Sequence, residues 1–106
     1  MIALFLAQVV ATPEMPSQGM LDRKPVMELA SVQSADQLQQ CVGLALERIG
    51  RPIVTRVAGR RYVTFAGVAK SPVLVTIYEG SPTRIEARTS FALNKKWRNR
   101  IRFCAS

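Results

Sequence analysis

Apolar residues between Ile53 and Phe91 recur at every second position, and this alternation constrains the fold more than any other feature of the chain. A period of two belongs to strands that bury one face and leave the other in water. Ile53, Thr55 and Val57 alternate with Val54, Arg56 and Ala58; after a turn at Gly59-Arg60, Val63 and Phe65 alternate with Tyr62 and Thr64. Beyond a loop around Lys70-Ser71-Pro72, Val73, Val75 and Ile77 share one face and Leu74, Thr76 and Tyr78 the other. A turn at Gly80-Ser81-Pro82 leads to Ile85, Ala87, Thr89 and Phe91, opposed by Arg84, Glu86 and Arg88. Two antiparallel hairpins follow from this pattern. In the first, a loop of about three residues collects Ile53, Thr55, Val57, Val63 and Phe65 on one face, whereas an even loop seats Arg56 beside Val63 and Phe65. The apolar pattern favours the odd loop. In the second, pairing Ile77 with Ile85 sets Tyr78 beside Arg84, Thr76 near Glu86 and Leu74 near Arg88.

Helical periodicity brackets the alternating region. Ser34-Ala35-Asp36-Gln37 has the form of a capping box, with Asp36 in the first turn where the helix dipole favours an acid. Leu38, Cys41, Val42, Ala45 and Ile49 then recur at helical spacing, and Gly50-Arg51-Pro52 stops the helix, which the spacing predicts over 34–49. At the other end Asn94 is an N-cap. Leu93, Trp97, Ile101 and Cys104 fall within an arc of roughly 80° at 100° per residue. Lys95, Lys96, Arg98, Arg100 and Arg102 lie outside that arc, and Phe103 lands among them. The class is therefore α+β: a helix, a four-stranded antiparallel meander and a C-terminal helix (αββββα), both helices on one face of the sheet.

Residues 34–106 form this single small domain. Ahead of it, Ile2–Ala11 is an apolar run broken only by Gln8, too short to cross a bilayer as a helix. It reads as the remnant of a signal peptide over residues 1–11, cleaved after Ala11, although no Lys or Arg precedes it. Residues 12–33, with Pro13, Pro16 and Pro25, read as a tether whose apolar part, Val26–Val32, suits a short edge strand or lead-in. The expected location is periplasmic or secreted. Cys41 and Cys104 lie on the two helical stripes, and an oxidising compartment predicts a disulfide between them.

Charge bounds the function. Fifteen Lys and Arg against seven Asp and Glu give +8, and the halves differ. Residues 1–50 hold three basic and five acidic side chains, and residues 51–106 hold twelve and two. Such a field attracts an acidic protein or another polyanion. No histidine is present, which removes the usual base near neutral pH and the commonest metal ligand. Phosphate-binding, nucleotide-binding and hydrolase motifs are missing, so no enzyme, cofactor or metal is expected. The expected function is that of a small exported, non-enzymatic binding or accessory domain. Candidate polyanion or partner contacts are Arg56, Arg84, Arg88, Lys95, Lys96, Arg98, Arg100 and Arg102. Two alternatives use the same residues. An intracellular nucleic-acid-binding protein would use the basic outer sheet face and the last helix. A membrane-surface protein would use the last helix alone. Tyr62, Leu74 and Tyr78 form an outer-face strip suited to base stacking or to homodimerisation.

Overall fold

The computed structural model describes residues 18–66, 73–89 and 93–106. The signal-peptide segment, the Lys70-Ser71-Pro72 loop and Phe91 lie outside the described residues. The described elements run α1 (Gln18–Asp22), β1 (Met27–Ser31), α2 (Ala35–Ala45), β2 (Arg51–Val57), β3 (Arg60–Ala66), β4 (Val73–Tyr78), β5 (Thr83–Thr89) and α3 (Lys95–Ala105). The class is α+β. The sheet, however, has five antiparallel strands rather than four, in the order β1-β5-β4-β3-β2.

The extra strand comes from the stretch read as a tether. Met27 and Leu29 alternate with Glu28 and Ala30, and β1 adds to the free edge of β5 with Met27 opposite Ala87 and Leu29 opposite Ile85. One apolar row thereby crosses all five strands: Val54, Val63, Val75, Ala87 and Met27. Together with Ile77, Ile85 and Phe65 it makes the floor of the main core.

Two helices roof that floor. Ser34 caps α2 through its hydroxyl, which accepts from the Gln37 amide at 3.2 Å, while Gln37 Oε1 accepts from the Ser34 amide at 3.0 Å. Both orphan donors of the first turn are satisfied locally. Leu38, Val42 and Leu46 are fully buried on the sheet, and the regular helix stops at Ala45, four residues short of the predicted end. Asn94 caps α3 by accepting from the Trp97 amide at 2.9 Å. Leu93, Ile101 and Cys104 are buried, with Trp97 half-buried beside them. Both helices sit on the same face of the sheet and join one core. Cys41 and Cys104 are disulfide-bonded, with their Cα atoms 5.6 Å apart.

The first hairpin departs from expectation. Val57 pairs with Arg60, so the loop is Ala58-Gly59, even in length, with Gly59 at φ 77° in the left-handed region where glycine carries no steric penalty. Val54, not Ile53, faces the core opposite Val63, and Arg56 pairs with Arg61 on the helix side. The second hairpin has the expected register, with Ile77 opposite Ile85, Tyr78 opposite Arg84, Thr76 opposite Glu86 and Leu74 opposite Arg88.

Candidate binding surfaces

The shifted register of the first hairpin rearranges the candidate residues. Arg56 was placed on the outer sheet face by the odd loop; the even loop turns it to the helix side, where its guanidinium lies 3.7 Å from Asp36. Its neighbour Arg61, passed over by the sequence reading, is only 7% exposed. A buried arginine needs every donor occupied. Arg61 donates to Asp36, to Gln39 at 3.0 Å and to Glu79 at 3.0 Å. The hydrogen bond from Arg61 holds the Asp36 carboxyl below its usual range, and that same bond holds the guanidinium of Arg61 more firmly protonated. This knot ties the N-terminal turn of α2 to the tip of the β2–β3 hairpin. Its signal in the sequence is the pair Asp36 and Arg61, which becomes visible only once the loop parity is known.

The outer sheet face is partly closed. Tyr62 and Leu74 are 6% and 1% exposed, because Met20 and Leu21 of α1 pack over them. The strip read as a stacking or dimer surface is therefore covered by the chain itself over two of its three members. Arg88 is also committed, donating to Glu86 at 3.0 Å and to the Arg23 carbonyl at 2.8 Å. Glu86 accepts a further bond from Tyr78 at 2.8 Å. Burial pushes the Glu86 carboxyl up, but the bonds from Tyr78 and Arg88 outweigh it, and the carboxyl ends below its usual range. Burial and the same bond to Glu86 push the Tyr78 phenol up. What stays open includes one cross-strand row with two cations. Arg60, Tyr78 and Arg84 pair in register, and the guanidiniums lie 5.6 Å and 4.6 Å from the Tyr78 ring centre.

The last helix is different. Lys95, Lys96 and Arg102 are exposed, and Arg98 and Arg100 half-exposed. Arg98 donates to the Leu93 carbonyl at 2.8 Å and Arg102 to Asn99 at 3.2 Å. Arg100 lies over the Trp97 ring at 4.8 Å and reaches the Ala45 carbonyl of α2 at 3.2 Å. Among the described residues none of the five forms an ion pair, whereas Arg56, Arg61 and Arg88 each do.

The chain matches no family model, no curated protein and no solved structure. The arrangement of its own residues therefore carries the functional argument. Among the described residues no group of three or more Cys, Asp or Glu is placed to hold a metal ion, and both cysteines are spent on the disulfide. No described helix is long and apolar enough to cross a membrane.

Between α2 and α3, above the disulfide, runs an open cleft of about 620 Å³ lined in part by Leu44, Arg48, Arg100 and Phe103. Leu44 and Phe103 are 69% and 77% exposed. Neither stood among the candidate residues. The sequence signal was Phe103, the one aromatic side chain on the cationic side of the last helix.

Proposed function

We propose that this is a small exported, non-enzymatic binding domain that presents the cationic face of α3 to an acidic protein or another polyanion. One observation carries the reading: α3 bears five basic side chains without a carboxylate partner among the described residues, on a helix clamped to the core by a disulfide. Because the backbone of this helix is already fixed, docking a polyanion costs side-chain freedom but little backbone freedom, so more of the Coulomb attraction is retained as affinity. Lys95 and Lys96 stand in the first turn of α3, where the helix dipole disfavours cations. They weaken the helix that carries them, which fits a role outside the fold. The disulfide supports an oxidising compartment.

The test is titration with heparin and with polyglutamate across salt concentrations. Charge-driven binding falls steeply between low and physiological salt. Binding that is indifferent to salt, or that survives Lys95→Glu with Lys96→Glu, would refute the reading. Non-reducing mass spectrometry of the native protein tests export, and two free thiols would count against it.

Nucleic-acid binding on the sheet face draws less support, because Tyr62 and Leu74 lie beneath Met20, Arg56 points to the helix side and Arg88 is held by Glu86. Membrane insertion of the α3 stripe also loses support, since Leu93 and Ile101 are 2% and 0% exposed within the core.

A further inference from the structure

We propose that the cleft between α2 and α3 is a docking groove for an acidic protein segment that carries apolar anchor side chains, most simply an amphipathic helix. The proposal rests on the α3 reading above and narrows its ligand class from polyanions in general to a protein.

Cys41 and Leu44 stand on one face of α2, Arg48 in the turn that follows it, and Arg100 and Phe103 on α3, so each helix turns one ridge toward the cleft. Leu44 and Phe103 are two of the four most exposed large apolar side chains among the described residues, and they line the same cleft. Singly, an exposed leucine or phenylalanine calls for no explanation. Here they stand on opposite helices, across a concave surface that the Cys41–Cys104 bond and the Arg100–Ala45 hydrogen bond hold at fixed width. The helices cannot slide together to cover them.

Charge selects the occupant. Arg48 and Arg100 line the groove, Lys96 precedes Arg100 by one turn, and Glu47 is the one acid among the described lining residues. A partner must then be acidic on its flanks and apolar at its centre. Heparin or nucleic acid would satisfy the cations and leave Leu44 and Phe103 in water. An amphipathic acidic helix satisfies both, with anchors at i, i+3 and i+4 reaching into a groove between two helices. The cleft volume lies within the range of natural ligand sites and has room for two or three such side chains.

The experiment uses two fluorescent synthetic peptides of equal negative charge, titrated against the full chain by anisotropy. One is a glutamate-rich helix with a leucine stripe; in the other every leucine is glutamine. Burying one leucine or phenylalanine is worth about a tenfold change in affinity or more. The leucine peptide should therefore bind at least about tenfold tighter, and Leu44→Ser with Phe103→Ser should erase that preference while leaving the salt-sensitive binding of both peptides. Both side chains are mostly in solvent, so the double variant keeps its fold, checked by circular dichroism and an intact disulfide. Equal binding of the two peptides overturns the groove and leaves the α3 reading standing. Absence of binding to either peptide and to heparin at low salt overturns both. Three further results overturn the groove by assigning it elsewhere. One is uptake by phosphatidylcholine–phosphatidylglycerol vesicles that needs Leu44 and Phe103, without preference for the leucine peptide. Another is a dimer in sedimentation that the double variant loses. The third is tighter binding of a peptide of residues 2–11 than of the leucine peptide.

Discussion

Reversing the charge of Lys95 and Lys96 should make this protein more stable and less able to bind. Both residues stand in the first turn of α3, which contains no acid. A charge there interacts with the helix dipole by about 0.3–1 kcal/mol, unfavourably for lysine and favourably for glutamate, at low ionic strength. Lys96 also stands one turn before Arg100, a like-charge i,i+4 pair that costs a few tenths of a kcal/mol. Glutamate at 96 converts it into an attractive pair in the preferred orientation, with the acid N-terminal. Arg100 already bonds Ala45 and covers Trp97, so only part of that gain is realised. With the low end of the dipole range taken for these solvent-exposed side chains, the sum for Lys95→Glu with Lys96→Glu is a gain of about 1–2 kcal/mol, a rise in Tm of roughly 5–10 °C for a domain of this size. The formal charge falls by four while the core is untouched. Thermal unfolding by circular dichroism at low and high salt measures the first effect, which salt should shrink. A heparin titration measures the second and should show binding lost. A stable variant that still binds heparin would remove α3 from the contact. A variant with lowered Tm would show that the two lysines have structural partners and would refute the dipole argument.

Three further outcomes are expected. Cys41→Ser with Cys104→Ser opens a loop of 63 residues and should cost on the order of 4 kcal/mol, read as a lower urea midpoint, with α3 amides exchanging fastest in hydrogen-exchange mass spectrometry. Asp36→Ala should lower the urea midpoint more than Arg61→Met, since the first leaves a buried guanidinium short of a partner, while the second leaves only the exposed or half-exposed acids Asp36 and Glu79 to water. The Glu86 carboxyl lies below its ordinary value of 4.5 in the folded protein, so the stability it contributes is complete above that value and is lost as pH falls through the lower folded one. Glu86→Gln should flatten the acid limb of a stability-against-pH curve below about 4.5 and leave the neutral region nearly flat.

The second hairpin was legible because its outer face alternates charge, with Arg84, Glu86 and Arg88 opposite Tyr78, Thr76 and Leu74, and pairing Ile77 with Ile85 keeps Val73, Val75, Ile77, Ile85 and Ala87 together on the core face. The first hairpin was misread on the rule that a core-facing position is apolar. Arg61 breaks that rule at the end of the strand, where Asp36, from another element, neutralises it; no local pattern announces a partner 25 residues away. β1 has only two apolar residues facing the core, so its sequence suited an edge strand or a lead-in equally, and it forms a strand because β5 offers an open edge. α1 is one short helical turn containing a glycine, and it is held by Met20 on Tyr62 and Leu74 rather than by its own propensity. For the proposed binding surface, the helical wheel separated the cations of α3 from its buried stripe. Leu44 escaped notice because its importance comes from facing Phe103 across a cleft, a relation set by the packing of two helices.

The disulfide and the charge of α3 are best understood together. Alone, this helix is a poor one. Lysines oppose the dipole at its start, like charges meet at Lys96–Arg100 and Arg98–Arg102, and no acid within it offsets them. Its grip on the sheet comes from a narrow stripe in which Leu93, Ile101, Cys104 and Ala105 are buried and Trp97 is half-buried. A domain of this size has a stability of about 5–15 kcal/mol, so a self-repelling terminal helix is an expensive element to retain. The Cys41–Cys104 bond offsets that cost by fixing the last turn of α3 to α2, and it does so without placing an acid near the cations. Internal salt bridges would have stabilised the helix too, as they do for Arg61 and Arg88, but they would have consumed the field. Covalent attachment keeps the helix ordered and its charge available, and it fixes the spacing of the α2–α3 cleft. The bond that makes α3 structural is thus also what allows it to remain electrostatically unbalanced.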